Sequence, residues 1–199
     1  MVRNMLTLGC ALAVFTLAGP AQAACPGCEA VEKKGAGFCC GKGLAFGVKL
    51  TSQKLYDSVA GEEIDADAIK CPGCKSAHKE NGKCSHCRVA MADGKMYRSE
   101  YSHTLAKGKP VSADEAGHCG GCKTAHTENG YCTGCGVGFV AGRMYKGQES
   151  FEAASAAHET LETASAMAKK CVDCAVAMVT DGECPSCKVK FKKGEKIES

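Results

Sequence analysis

From Phe151 onward, apolar residues recur at steps of three or four: Phe151, Ala154, Ala157, Leu161, Ala164 and Ala168. That spacing lines one face of an α-helix. The stretch 150–170 contains neither Gly nor Pro, and Ser150 is placed to cap its start. Shorter helices are predicted over 52–60 and 99–107, ended by Gly61 and by Gly108-Lys109-Pro110. A different pattern lies between the helices. Val89 to Tyr97 sets two short apolar-bearing arms around Asp93-Gly94, a hairpin signal because Gly tolerates positive φ. The same frame occurs four times, with Gly47, Gly94, Gly142 and Gly194 at its centre. An apolar residue stands three positions before each glycine (Leu44, Met91, Phe139, Phe191) and another three after it (Leu50, Tyr97, Tyr145, Ile197). These two positions are expected to pack on one another or on a neighbouring site. The acidic run from Asp57 to Asp67 is expected to be a solvated linker.

Each hairpin frame follows a set of four cysteines. Cys71, Cys74, Cys84 and Cys87 have the spacing C-x2-C-x9-C-x2-C. Cys119, Cys122, Cys132 and Cys135 repeat it, as do Cys171, Cys174, Cys184 and Cys187. Cys25, Cys28, Cys39 and Cys40 form an irregular first set. The sets begin at residues 25, 71, 119 and 171, a period of roughly fifty residues that marks an array of similar units. The units span 24–60, 61–110, 111–170 and 171–199. The expected architecture is small and α+β: tandem metal-bound units, each of two cysteine knuckles and a β-hairpin, strung like beads on helical linkers.

Residues 1–23 have the form of an export signal. Arg3 precedes a mostly apolar stretch, and Ala21-Gln22-Ala23 is an A-x-A cleavage site. The mature chain is therefore expected outside the cytoplasm and off the membrane. Lipid attachment at Cys25 is disfavoured, since Gln22 stands where that motif needs an aliphatic residue. Of 17 cysteines, only Cys10 lies within the signal, which leaves four for each unit. The chain has no Trp, 6 Phe and 5 Tyr, so a single large apolar core is not expected and cross-linking must supply stability. The formal charge of +3 gives no electrostatic reason to expect a nucleic-acid partner. Lys188, Lys190, Lys192, Lys193 and Lys196 form a basic but solvated end.

Three chemistries compete for the thiols. Two CxxC pairs a few residues apart suit one tetrahedral ion, closing it without an open position. Disulfides are permitted by export, although a bond within CxxC makes a strained, easily reduced ring. Thiol–disulfide catalysis calls for a lowered thiol pKa, usually in a βαβ setting that this pattern does not suggest. Haem attachment is excluded, because Glu29, Lys75, Arg88, Lys123, Gly136, Ala175 and Lys188 stand where CxxCH needs His. The knuckles Cys71-Pro72-Gly73-Cys74 and Cys84-Ser85-His86-Cys87, with their later counterparts, resemble those of zinc ribbons. The resemblance covers each cysteine core and implies zinc, three to four ions in all, ahead of iron. It implies no activity, and export departs from the usual intracellular ribbon.

The adjacent Cys39 and Cys40 imply a two-residue deletion in the second knuckle, and predict a distorted or metal-free first site with an exchangeable ion. His78 and His126 occupy matching places in a duplicated loop, Lys-x-Ala-His-x-Glu-Asn-Gly. With four sulfurs already present, they are not needed as ligands. His86 and His118 adjoin ligand cysteines, while His103 and His158 are expected to be exposed on helices. No nucleophile–base pair or phosphate loop appears. The sequence thus points to a non-enzymatic zinc protein serving as a scaffold or as an interaction module for a protein partner. Soft-metal buffering and a disulfide or redox role are the alternatives.

Overall fold

Four two-residue turns organise the fold: Phe46-Gly47, Asp93-Gly94, Ala141-Gly142 and Lys193-Gly194. Both central residues of each lie at positive φ, between 49° and 76°. This is the turn whose twist matches that of a tight antiparallel hairpin, and it explains the repeated glycine. The computed structural model describes residues 25–117 and 119–197. The signal segment and His118 lie outside the described residues.

The first cysteine set lies in α1 (Pro26–Lys34) and the sheet β1 (Gly37–Cys39), β2 (Lys42–Ala45) and β3 (Val48–Leu50), followed by α2 (Gln53–Val59). Next come β4 (Glu62–Glu63), α3 (Pro72–Glu80), β5 (Lys83–Cys84), β6 (Val89–Ala92), β7 (Lys95–Tyr97) and α4 (Glu100–Ala106). Their sheet has the order β4-β7-β6-β5. The third set repeats this plan with β8 (Lys109–Pro110), α5 (Ala113–Ala116), α6 (Gly120–Glu128), β9 (Tyr131–Cys132), β10 (Val137–Val140) and β11 (Arg143–Lys146). Then follow the long α7 (Gln148–Ala168), α8 (Val172–Val179), β12 (Lys190–Lys192) and β13 (Glu195–Ile197). The small α+β plan with four cysteine clusters is as the sequence implies.

Several local expectations are corrected. The first CxxC of every set opens a helix rather than forming an isolated turn. Cys25, Cys71, Cys119 and Cys171 are extended N-cap residues, and Pro26 and Pro72 occupy the first turn, where a missing N–H costs nothing. The acidic linker contributes a strand, with Glu62 pairing with Met96 and Glu63 with Lys95. α7 starts after Gly147, so Ser150 lies inside it and caps nothing. The two apolar hairpin positions do not pack together. Leu44 pairs with Lys49, Met91 with Met96 and Phe139 with Met144. With side chains alternating along each strand, Leu50, Tyr97 and Tyr145 fall on the opposite face. Met91 and Phe139 cover their own cysteine clusters, while Leu50 and Tyr145 face a shared core. Ile197 is the exception, at 44% exposure.

That shared core replaces the beads. Ala154, Ala157, Leu161, Ala164 and Ala168 line the buried face of α7. In one buried cluster with this stripe lie Val48, Leu50 and Leu55 from the first unit, Leu105 from the second, Val140 and Tyr145 from the third, and Val179 and Phe191 from the fourth. Alanine lets the surrounding elements approach closely, so a core is built without many large side chains. Polar bonds tie the units together as well. The Tyr145 hydroxyl donates to the Leu105 carbonyl at 2.8 Å. Arg143 donates to the carbonyls of Gly108 (2.8 Å) and Ala106 (2.9 Å), and its guanidinium lies over the Phe46 ring.

The duplicated Glu-Asn-Gly sequence has a structural cause. Asn81 and Asn129 end α3 and α6 in the left-handed conformation, at φ 50° and 53°. Their side-chain Oδ1 atoms accept from the backbone N–H of Asp93 (3.2 Å) and Ala141 (2.9 Å), pinning each helix end to its hairpin turn. Asn is among the few non-glycine residues that tolerate this conformation. Replacing Asn129 with Ala removes the bond and keeps the strained backbone. The expected loss is about 1–2 kcal/mol, read as a lowered denaturant midpoint with an unchanged m-value.

Candidate metal centres

The described cysteines gather into four quartets, those marked out by the sequence, and within each the sulfur atoms lie within 4.8 Å of one another. In the first, Cys25 Sγ lies 3.5 Å from Cys28, 3.4 Å from Cys39 and 3.3 Å from Cys40. Cys71–Cys84 and Cys119–Cys132 are each 3.9 Å apart. Cys171 Sγ lies 3.8 Å from Cys184 and 3.7 Å from Cys187. Four sulfurs at about 2.3 Å around one zinc stand about 3.8 Å from one another; the regular sets match this at 3.7–3.9 Å, and the first set is somewhat tighter at 3.3–3.6 Å. A disulfide needs about 2.05 Å, and the sixteen described cysteines are free thiols. The first set converges as tightly as the others, despite its adjacent cysteines.

Local structure accounts for the convergence. The helix beginning at each first cysteine puts that residue and the next cysteine, three positions on, on one side of the helix start. In the fourth set, Cys174 N–H donates to Cys171 Sγ at 3.4 Å and Cys187 N–H donates to Cys184 Sγ at 3.3 Å. The strand pair then brings the third cysteine against the helix start. Space there is tight. A Cβ on Gly27, Gly73 or Gly121 would come within 2.7, 2.9 and 2.9 Å of the sulfur of Cys39, Cys84 and Cys132 respectively. In these three sets the knuckle glycine leaves the third sulfur room to approach the helix start. In the fourth set Asp173 takes this place and turns outward. It forms an ion pair with Lys54 of the first unit and accepts from Ser186 Oγ at 2.8 Å. Sequence reading did not single out these glycines, although CPGC in two sets carried the signal.

The thiols do not titrate alike. The backbone N–H of Cys28, then the Cys40 thiol, hold Cys25 down at about 6. Cys71 and Cys119 are lowered to about 7 by the N–H of Cys74 and Cys122, respectively. For Cys184, burial pushes upward but is outweighed by the Cys187 N–H and its thiol neighbours, leaving it at about 7. Burial raises Cys122 to about 12 and lifts Cys74 and Cys174 well above the ordinary thiol range. Bonding to Cys25 raises Cys39 to about 12. Each quartet thus has one thiol held low and two held high: Cys28 and Cys39, Cys74 and Cys87, Cys122 and Cys135, Cys174 and Cys187.

An ion that needs four thiolates must expel the protons held by the raised thiols, at least about two per site. Binding zinc to the metal-free protein in weak buffer at mildly alkaline pH is expected to release that number per ion, measured by a pH indicator. The sign follows directly. Below about 7 the lowered thiols take up protons as well, so affinity weakens as pH falls through that point and strengthens as it rises.

The histidines stand apart from the sulfurs. Nε2 of His126 lies 2.9 Å from the Val111 carbonyl, and its ring meets Phe139 edge-on. His78 is half-buried and His86 exposed. His103, expected on the surface, is only 1% exposed. Its Nε2 lies 3.2 Å from the Asn81 carbonyl and 3.1 Å from that of Met91, fastening α4 to the second unit's loop and hairpin. Burial lowers its pKa, which favours the neutral ring. His158 is half-buried rather than exposed, 3.9 Å from Glu162.

No protein-family model matches the chain, and neither a curated protein nor a solved structure matches it. The chemistry therefore rests on the sites themselves. Their donor set is four soft, closely spaced sulfurs, in three of the sites beside a glycine that leaves room for them. This fits a tetrahedral ion that accepts thiolate, and four such clusters could hold metal.

Proposed function

We propose that the chain is an exported, non-enzymatic zinc protein in which four tetrathiolate centres clamp four small units around α7, presenting a rigid surface to a protein partner. The observation that carries this reading is the convergence of sixteen sulfurs into four quartets at zinc–thiolate spacing. A closed S₄ site offers no position for substrate, which favours a structural over a catalytic role. Zinc is preferred to iron because only nine residues separate the knuckles of the regular sets. The near-neutral charge argues against nucleic acid as the partner. No helix among the described residues is long and apolar enough to cross a membrane.

Native and denaturing intact-mass measurements test this reading. Three to four zinc ions are expected to leave on denaturation, from a chain that begins at Ala24 and whose thiols are fully reduced. Fewer than two ions, or a mass deficit of two hydrogens for each pair of cysteines, would reject it. Soft-metal buffering is a second reading, favoured by the exposure of the first quartet.

A further inference from the structure

The first quartet obtains its fourth ligand in a different way from the others. In the second and third units, Cys84 pairs with Val89 and Cys132 with Val137, leaving a four-residue loop that contains the last cysteine. In the fourth unit, Cys184 N–H donates to Val189 O, giving the same loop. In the first unit, Cys39 pairs with Lys42, so only Cys40 and Gly41 remain between the strands. Both have positive φ, 52° and 74°, the signature of a two-residue hairpin turn. Deleting two residues has turned a knuckle into a hairpin, and Cys40 sits at its tip.

Burial separates this site further. In each of the other quartets the second and third cysteines are at most 8% exposed. The first has none that is buried; its last cysteine, Cys40, is exposed like Cys87, Cys135 and Cys187, but without buried ligands beside it. Helix α1 buries no residue, whereas α3, α6 and α8 each bury a ligand cysteine and at least one alanine. Cys28 and Cys39 also line a cavity of about 300 Å³ walled by Val31, Leu44 and Leu50. A hollow of about 380 Å³ borders the second quartet too, lined by the half-buried Cys71 and by Cys74, which is only 6% exposed.

We propose that the first quartet is a metal-exchange station, which passes its ion to or takes it from a thiol ligand, while the other three hold theirs for structure. This rests on the reading of the quartets as zinc sites. The exchange is associative and redox-neutral. An incoming thiol gives up its proton and its sulfur bonds to the ion. The bond from the ion to Cys40 Sγ breaks, and Cys40 takes up a proton. Repetition at the remaining sulfurs moves the ion, and no electrons change hands. Cys40 is the first to leave because it is the exposed ligand of a quartet with no buried member, and it sits on a two-residue turn rather than in a four-residue knuckle.

The test follows zinc release to a chelating dye, pyridylazoresorcinol, with reduced glutathione as the competing thiol. One of the four ions is expected to leave at least about tenfold faster than the rest, at a rate that rises linearly with glutathione. Cys40→Asn removes the thiol but creates Asn-Gly, the sequence this turn most favours, so the hairpin is retained. That variant is expected to lack the fast ion and to keep the slow phase unchanged, whereas Cys87→Ser keeps the fast ion. Release of all four ions at one rate, or a fast ion that survives in Cys40→Asn, would overturn this proposal while leaving the zinc reading intact. Fewer than two ions bound at the outset would instead overturn the zinc reading, and this proposal with it.

Discussion

Stripping metal from the reduced protein at neutral pH is expected to unfold it. Structural zinc in a small domain supplies about 10–16 kcal/mol of apparent binding energy, as much as the whole stability of an ordinary domain, about 5–15 kcal/mol. The satellite cores show why the loss would spread. The second consists of Cys74, Ala77, Cys84, Val89 and Met91, and the third of Ala116, Cys122, Ala125, Cys132 and Phe139. Two of the five residues in each are ligands, so these cores have little left to condense around once the ion is gone. The same ion would anchor the start of α3 or α6 to a two-residue strand. Addition of EDTA with a reducing agent should abolish the thermal transition and most amide protection in β6, β7, β10 and β11. Restored zinc should bring both back. An unchanged melting temperature in verified metal-free protein would contradict this expectation.

Leu161→Ala is expected to cost about 2–5 kcal/mol, the range for a large-to-small change at a buried site. Leu161 is 0% exposed, on the face of α7 where elements from all four units meet. The surrounding alanines have no longer side chains with which to fill the space left behind. If α7 merely linked independent beads, the same substitution would fall within about 0.5 kcal/mol, as surface changes do. Denaturant titration of the zinc-loaded variant distinguishes the two cases. The loss should appear as a shift of the single main transition rather than of one unit's alone.

Much of this was legible from local chemistry. The four glycines mark the hairpin turns because the second turn position lies at φ between 70° and 76°, which Gly adopts without strain. Cysteine spacing foretells the quartets because a short connection leaves the knuckles nowhere else to go. Ser52 and Ser99 mark helix starts through their side-chain caps. The helices opened by the first CxxC pairs were also signalled, by Pro26 and Pro72 just inside their starts and by Asn81-Gly82 and Asn129-Gly130 at their ends.

Other features depend on tertiary contact. The stripe on α7 shows that one face is covered, but not that it is covered by all four units at once. His103 has the sequence context of an exposed helix residue, and is buried because the second hairpin lies across it. The opposite orientation of Met91 and Tyr97 was deducible. A two-residue turn fixes the register, and residues six apart across it then fall on opposite faces. In the first unit, the two-residue deletion was visible, but its outcome was not: a hairpin turn at Cys40-Gly41 that still brings the sulfurs together.

The claim on which the rest depends is that each quartet encloses one ion. X-ray absorption at the zinc edge of the purified protein measures this most directly. The predicted spectrum has one shell of four sulfurs at about 2.3 Å, with no nitrogen or oxygen component. A shell mixed with nitrogen or oxygen, or a protein without zinc whose sulfurs are paired at about 2.05 Å, would contradict it.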